Sequence, residues 1–150
     1  MQADISVQQD DFDIGAEINK LKSRQAGALV SFVGTVRDIS DPPCLDGLWL
    51  EHYPGMTEQE ITRITQDAQA RWPLTAVRVI HRIGRLQPMD NIVFVGTASA
   101  HRQAAFEAAS FIMDYLKSAA PFWKAEEQDG KRVWVDARES DTEAMTRWQS

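Results

Sequence analysis

The stretch from Ser99 to Lys124 leaves this chain little conformational freedom: it reads S-A-H-R-Q-A-A-F-E-A-A-S-F-I-M-D-Y-L-K-S-A-A-P-F-W-K. Alanines and straight-chain residues from Ala100 to Ala120 favour a helix, Ser99 is placed to cap its N-terminus, and Pro121 cannot continue it without a clash. Gln103, Glu107, Ser110, Asp114 and Lys117 recur at spacings of four and three, which makes one polar stripe. Ala105, Phe106, Ala108, Ala109, Phe111, Ile112, Met113 and Leu116 fill the remaining circumference, so the helix is expected to be mostly buried.

Four basic groups decorate this element, and their positions differ in meaning. Lys117 lies near the C-terminus, where the helix dipole favours a cation and Asp114 is one turn back; alone it needs no functional explanation. His101 and Arg102 fall in the first turn, where cations oppose the dipole and join unpaired backbone N–H groups. Such a place attracts an anion. Lys124 follows just past the proline.

The 150 residues suffice for one domain with a real core, spanning the whole chain 1–150, with the helical region 1–26 and the segment 139–150 carrying the least signal. The N-terminus has no basic segment followed by an apolar run, and no apolar stretch approaches membrane-spanning length, so a soluble, cytoplasmic protein with no membrane partner is expected. A net charge of −6 argues against a general nucleic-acid binder, and any cationic site must be local. Cys44 is the only cysteine, and His52, His81 and His101 show no paired ligand spacing, so neither a metal site nor a bound cofactor is expected. Cys44 sits in D-I-S-D-P-P-C-L-D-G with nothing basic beside it to activate a thiolate.

Taken in order, Asp10 to Gln25 reads as a short amphipathic helix with Ile14, Ile18 and Leu21 inward and Gly27 as its stop. Ala28 to Val36 reads as a strand in which Gly34 marks a bulge or a close backbone approach. Leu48 to Tyr53 is a second strand, and a helix follows from Thr57, with a capping box to Glu60, to about Trp72. Val77 to Ile83 alternates as a strand that places His81 on the Val77 and Val79 face, the usual setting of a satisfied core histidine. A turn, G-R-L-Q-P-M-D-N, leads into a strand from Ile92 to Ala98. After the long helix come an acidic patch, a strand from Lys131 to Ala137 and a short helix near Thr142 to Trp148. Paired strands and solitary helices predict an α+β fold with a largely antiparallel sheet.

The motifs G-T-V-R at 34–37, L-E-H-Y-P-G-M at 50–56, V-I-H-R-I-G at 79–84, S-A-H-R at 99–102, F-I-M-D-Y-L-K at 111–117 and A-P-F-W-K at 120–124 together resemble one family, the catalytic, large subunit of molybdopterin synthase. The resemblance runs from about Gly27 to Asp141 and implies an α/β hammerhead-like fold. It also implies sulfur transfer in molybdenum cofactor biosynthesis: cyclic pyranopterin monophosphate receives two sulfurs and becomes the dithiolene of molybdopterin. The implied donor is a small ubiquitin-like sulfur-carrier subunit bearing a C-terminal thiocarboxylate. Two of each chain would form a heterotetramer around a homodimer of the large subunit.

The same resemblance implies a site. Lys117 and Lys124 are the catalytic candidates; Thr35, Val36, Arg37, His101, Arg102, Ala125 and Glu126 join them in binding substrate, and Phe32 and Met113 line the pocket. Arginine forks and compact lysine charges suit a phosphate ester. Two departures stand out: Ala125 occupies a position where many members carry a second basic residue, and Arg85 replaces an acidic residue common after H-R-I-G.

Helix geometry adds a constraint of its own. Arg102 and Lys117 are fifteen residues apart, about 22 Å along a helix axis, too far to hold one small molecule together. A site using both therefore draws His101 and Arg102 from one copy and Arg37, Lys117 and Lys124 from another. Two alternatives keep the anion pocket without the carrier: a cyclic-phosphate hydrolase with His101 as acid or base, and a non-enzymatic dimeric phosphate-ligand binding protein.

Overall fold

The computed structural model describes residues 3–38, 45–135, 146 and 148–149. Its elements, in chain order, are β1 (Asp4–Gln8), α1 (Ile14–Asn19), β2 (Ala28–Thr35), β3 (Gly47–His52), α2 (Met56–Arg71), β4 (Leu74–Arg82), β5 (Gly84–Leu86), β6 (Asn91–Ser99), α3 (Arg102–Ser118), β7 (Phe122–Gln128) and β8 (Lys131–Val135). They build two four-stranded sheets, ordered β1-β4-β6-β2 and β5-β3-β7-β8. Only the β1–β4 pair is parallel among these pairings, so the fold is α+β with largely antiparallel sheets, as its strand pattern predicts.

Strand alternation sorts the apolar residues into three clusters. On one face of the first sheet, Val77 and Val79 of β4 and Val93 and Val95 of β6 meet Ile61, Ile64 and Ala68 of α2 and Ala109, Phe111, Ile112 and Leu116 of α3. On the other face, Ile80, Phe94 and Ala98 close over Leu21 just past α1. A third cluster, Val36, Leu48, Leu50 and Leu86, joins the end of β2 to the second sheet. Thr97 is fully buried on the α3 side and donates from its hydroxyl to the Ala105 carbonyl at 2.7 Å, which fixes the first turn of α3 against β6.

Several element ends differ from expectation. The helix expected over Asp10–Gln25 shortens to six residues behind an Asp13 cap, whose Oδ1 accepts from the Ala16 N–H, and β1 precedes it. What anchors that helix is Glu17, 7% exposed, which accepts from Arg78 of β4 and from Lys20. Burial alone would raise the Glu17 carboxyl; those cations outweigh it and hold the group below its ordinary range. Ser99 does not cap α3. It completes β6 and donates to the Pro73 carbonyl at 2.8 Å, while His101 takes the cap position in extended conformation without a side-chain cap bond.

The start of α2 is likewise shifted. Gly55, at a φ of 85° that favours glycine, occupies the cap, and the Glu58 carboxylate accepts its N–H at 3.2 Å. Thr57 is buried, accepts from the Tyr53 N–H and donates to the Pro121 carbonyl at 3.1 Å, tying the start of α2 to the segment that enters β7. Three strands lay outside the sequence pattern: β1, β5 where a turn was expected, and β7 where an acidic patch was expected. Cys44 lies outside the described residues, as does most of the helix expected near Thr142 to Trp148. Among the described residues, no helix is long and apolar enough to cross a membrane.

The bulge expected at Gly34 is present as a register shift between Gly34 and Thr35 against β6. A Cβ at Gly34 would stand 2.8 Å from Val93 Cγ1, so the close approach is real. It lets the chain turn out of β2 and release Arg37 beside the third cluster.

Candidate active site

The path of α3 decides which site residues meet. β6 ends at Ser99 and α3 starts at Arg102, packing back across β6 and β2. Its last turn therefore lies over the end of the sheet where β6 begins, where Thr35 is opposite Asn91 and His81 is opposite Val93. Lys117 sits in that last turn, exposed. Arg37, also exposed, is two residues beyond Thr35 at the same end.

The second sheet brings Lys124 to this end. In β7, Phe122, Lys124 and Glu126 alternate onto the face shared by their partners His52, Leu50 and Leu48 on β3. Leu48 and Leu50 belong to the cluster that holds Val36, so Lys124 rises from the face turned toward the end of β2. Ala125 points the other way and is fully buried, so its side chain is closed to a ligand, and its backbone lies in a strand paired to both β3 and β8. Phe32, 41% exposed, is on the α3 side of β2 opposite Val95, and Met113 is partly buried against the main core.

Two histidines belong to this end that sequence reasoning left out of the site. The His81 ring stacks on Phe122, with centroids 3.7 Å apart and planes 16° from parallel, and its Nδ1 is 2.8 Å from the Arg82 carbonyl. Because a carbonyl only accepts, Nδ1 carries the proton and Nε2 is bare in the neutral ring. Burial pushes the His81 pKa down to about 4, the Arg82 carbonyl opposes that shift, and the charges of Lys117 and His52 add to it. His52 is opposite Phe122 and has Nε2 3.7 Å from Glu58. The sequence placed His81 on the Val77 and Val79 face correctly; the stack on Phe122 is a tertiary contact without a local signal.

His101 and Arg102 stand at the far end of α3, both exposed. With Gln103, Phe106 and Glu107 they line an open concavity of about 610 Å³. Phe106 is 61% exposed, contrary to its expected burial, because the helix faces that pack on the sheet and on α2 are taken by Ala105, Ala108, Ala109 and Ile112. Glu107 is engaged at both oxygens, by Trp72 Nε1 at 2.8 Å and Gln103 Nε2 at 3.2 Å, which leaves Arg102 and His101 as the basic side chains of this concavity among the described residues lining it. Arg85 is structural: Nε donates to Glu127 Oε2 at 3.3 Å and Nη2 to the Asp46 carbonyl at 3.1 Å.

The family model described as MoaE protein matches residues 7–119. This chain belongs to the MoaE protein family. The matched span takes in Arg37, His101, Arg102 and Lys117, while Lys124 lies beyond it. MoaE relatives extend the likeness over nearly the whole chain. The molybdopterin synthase catalytic subunit of Pseudomonas aeruginosa is 53% identical over 147 residues, covering 97% of this chain and 98% of that protein. The subunit of the same description from Escherichia coli is 54% identical over 138 residues, covering 91% and 92%. The solved structure of the molybdopterin biosynthesis MoaE protein from Burkholderia ambifaria superposes with a TM-score of 0.85 at 48% identity, covering 99% of each chain.

Proposed function

We propose that this chain is the catalytic subunit of a molybdopterin synthase, transferring sulfur from the thiocarboxylated C-terminus of a small carrier subunit to cyclic pyranopterin monophosphate. The observation that carries this reading is the identity of more than half the residues with catalytic subunits of that description along nearly their full length. The exposed cations at the two ends of α3 support it.

Lys117 and Lys124 meet the demands of the chemistry at their end of the molecule. A thiocarboxylate and a phosphate ester are both anionic, and compact ammonium charges bring them together and stabilise the negative charge that develops during acyl transfer. Arg37 adds a fork for phosphate oxygens; the Val36 backbone is held by Asp90 and Met89, and Ala125 and Glu126 are paired to both β3 and β8, so these positions shape the site through the strands they build. Phe32 and Met113 supply apolar walls.

His101 and Arg102 complete such a site only from a second copy, since one helix separates them from Lys117. Exposed Phe106, one turn from Arg102, supports a homodimer in which the partner covers this concavity. A single-turnover assay with pyranopterin substrate and thiocarboxylated carrier tests the reading: dithiolene product is expected from wild type, and none from a competent donor would overturn it.

A further inference from the structure

Resting on that reading, we propose that His81 is a positioning residue of the sulfur-transfer site: as a neutral, flat ring it braces Phe122 and so fixes the strand register that presents Lys124 beside Lys117. The contact is close and nearly parallel, 3.7 Å between centroids at 16°. Phe122 and Lys124 are neighbours on one face of β7, so the ring that holds the first sets the height and direction of the second. No other aromatic ring among the described residues contacts Phe122 within stacking range.

Neutrality is part of the role. His81 is faced by Lys117 from α3 and by His52 from β3, and its own strand offers the Arg82 carbonyl to Nδ1. A proton on Nε2 would set a further positive charge beside Lys117 and repel the cations that the site must hold. The bare Nε2 instead leaves an acceptor at the edge of a cationic cluster. The stack also joins the two sheets, since His81 belongs to the first and Phe122 to the second. The end of the molecule carrying both lysines is thereby clamped across the sheet boundary.

The test compares His81→Ala, His81→Phe and His81→Arg in the full assembly of large subunit and thiocarboxylated carrier, each checked for wild-type circular dichroism. The alanine variant is expected to lose roughly tenfold or more in kcat with KM for the pyranopterin nearly unchanged, because misplacement of a catalytic group slows chemistry more than binding. Phenylalanine, flat and neutral, restores kcat to within about threefold of wild type, whereas arginine, flat and charged, does not. A folded alanine variant with wild-type kcat, a phenylalanine variant as slow as alanine, or an arginine variant as fast as phenylalanine overturns the proposal. Nitrogen-15 spectra of the imidazole provide a readout independent of turnover: the neutral ring protonated at Nδ1 is expected from pH 8 to pH 5, and an imidazolium in that range overturns it. If wild type itself makes no product, the synthase reading fails and is told apart from a failure of the His81 role, which requires an active wild type.

Discussion

Arg102 opens α3 and Lys117 occupies its last turn, so two cations of the proposed site stand about 22 Å apart on one rigid element. A second copy of the chain is needed to bring their like together. Arg102→Ala and Lys117→Ala are each expected to be inactive as homodimers. Mixed and allowed to exchange subunits, they should recover about a quarter of the wild-type sites, since half the dimers are mixed and each of those has one intact site. Single-turnover product from the exchanged mixture measures this; none, with exchange shown by mass spectrometry, would rule out a shared site.

In the proposed site Lys117 of α3 and Lys124 of β7 act together at the end of the first sheet where β2 and β4 finish. Lys117→Ala and Lys124→Ala should each lower the single-turnover rate by roughly a hundredfold or more, the scale seen when one group stabilising developing charge is removed. Both side chains are exposed, so urea midpoints should stay close to wild type. A large loss of rate without loss of stability is the expected signature.

The neutral state of His81 links its stack to acid sensitivity. Its pKa falls from 6.5 to about 4 on folding, so between those values the unfolded chain takes up a proton that the folded chain refuses. Stability therefore rises with pH across that window, and acidification from above 6.5 to below 4 removes up to about 3 kcal/mol through this group. His81→Phe should flatten this part of the profile. Urea denaturation at pH 7.5, 6 and 5 checks it: the wild type should lose more than the variant at each step down.

Gly27 packs directly beneath the entry to α3. A Cβ there would lie 2.3 Å from the Ala100 carbonyl oxygen, a backbone atom that cannot swing aside, and the Gly27 N–H already donates to the Ser99 carbonyl at 2.9 Å. Gly27→Ala should cost about 1–3 kcal/mol in urea unfolding. It should also weaken precursor binding, because Ala100 leads straight into His101 and Arg102. Isothermal titration beside the urea curve separates the two effects.

How much of this was legible in the sequence depends on whether the signal was local. β2, β4, β6, α2 and α3 showed themselves through period and composition, because each buries one face in the main core or beside it. β7 did not: F-W-K-A-E-E-Q looks like an exposed polar run, and only pairing with β3 and β8 makes it a strand. β1 and β5 are five and three residues long, too short for periodicity to distinguish. The cations at the ends of α3 were legible with that helix, and family motifs named Arg37 and Lys124. The His81–Phe122 stack was not, since it joins residues from two sheets and neither residue advertises the other. Phe106 misled for a related reason: helical spacing gives which residues share a face, not how many faces the fold covers.

Alternation along β7 also acts as an address. Phe122 and Lys124 turn toward the end of β2, while Trp123 and the sealed Ala125 turn away. Inserting or deleting a single residue between Pro121 and Lys124 would exchange these roles, sending the ammonium to the opposite face of β7 and an indole toward the end of β2. Length changes in that short connection are therefore readable only in pairs, and the segment's count of residues is as much a part of the site as their identities.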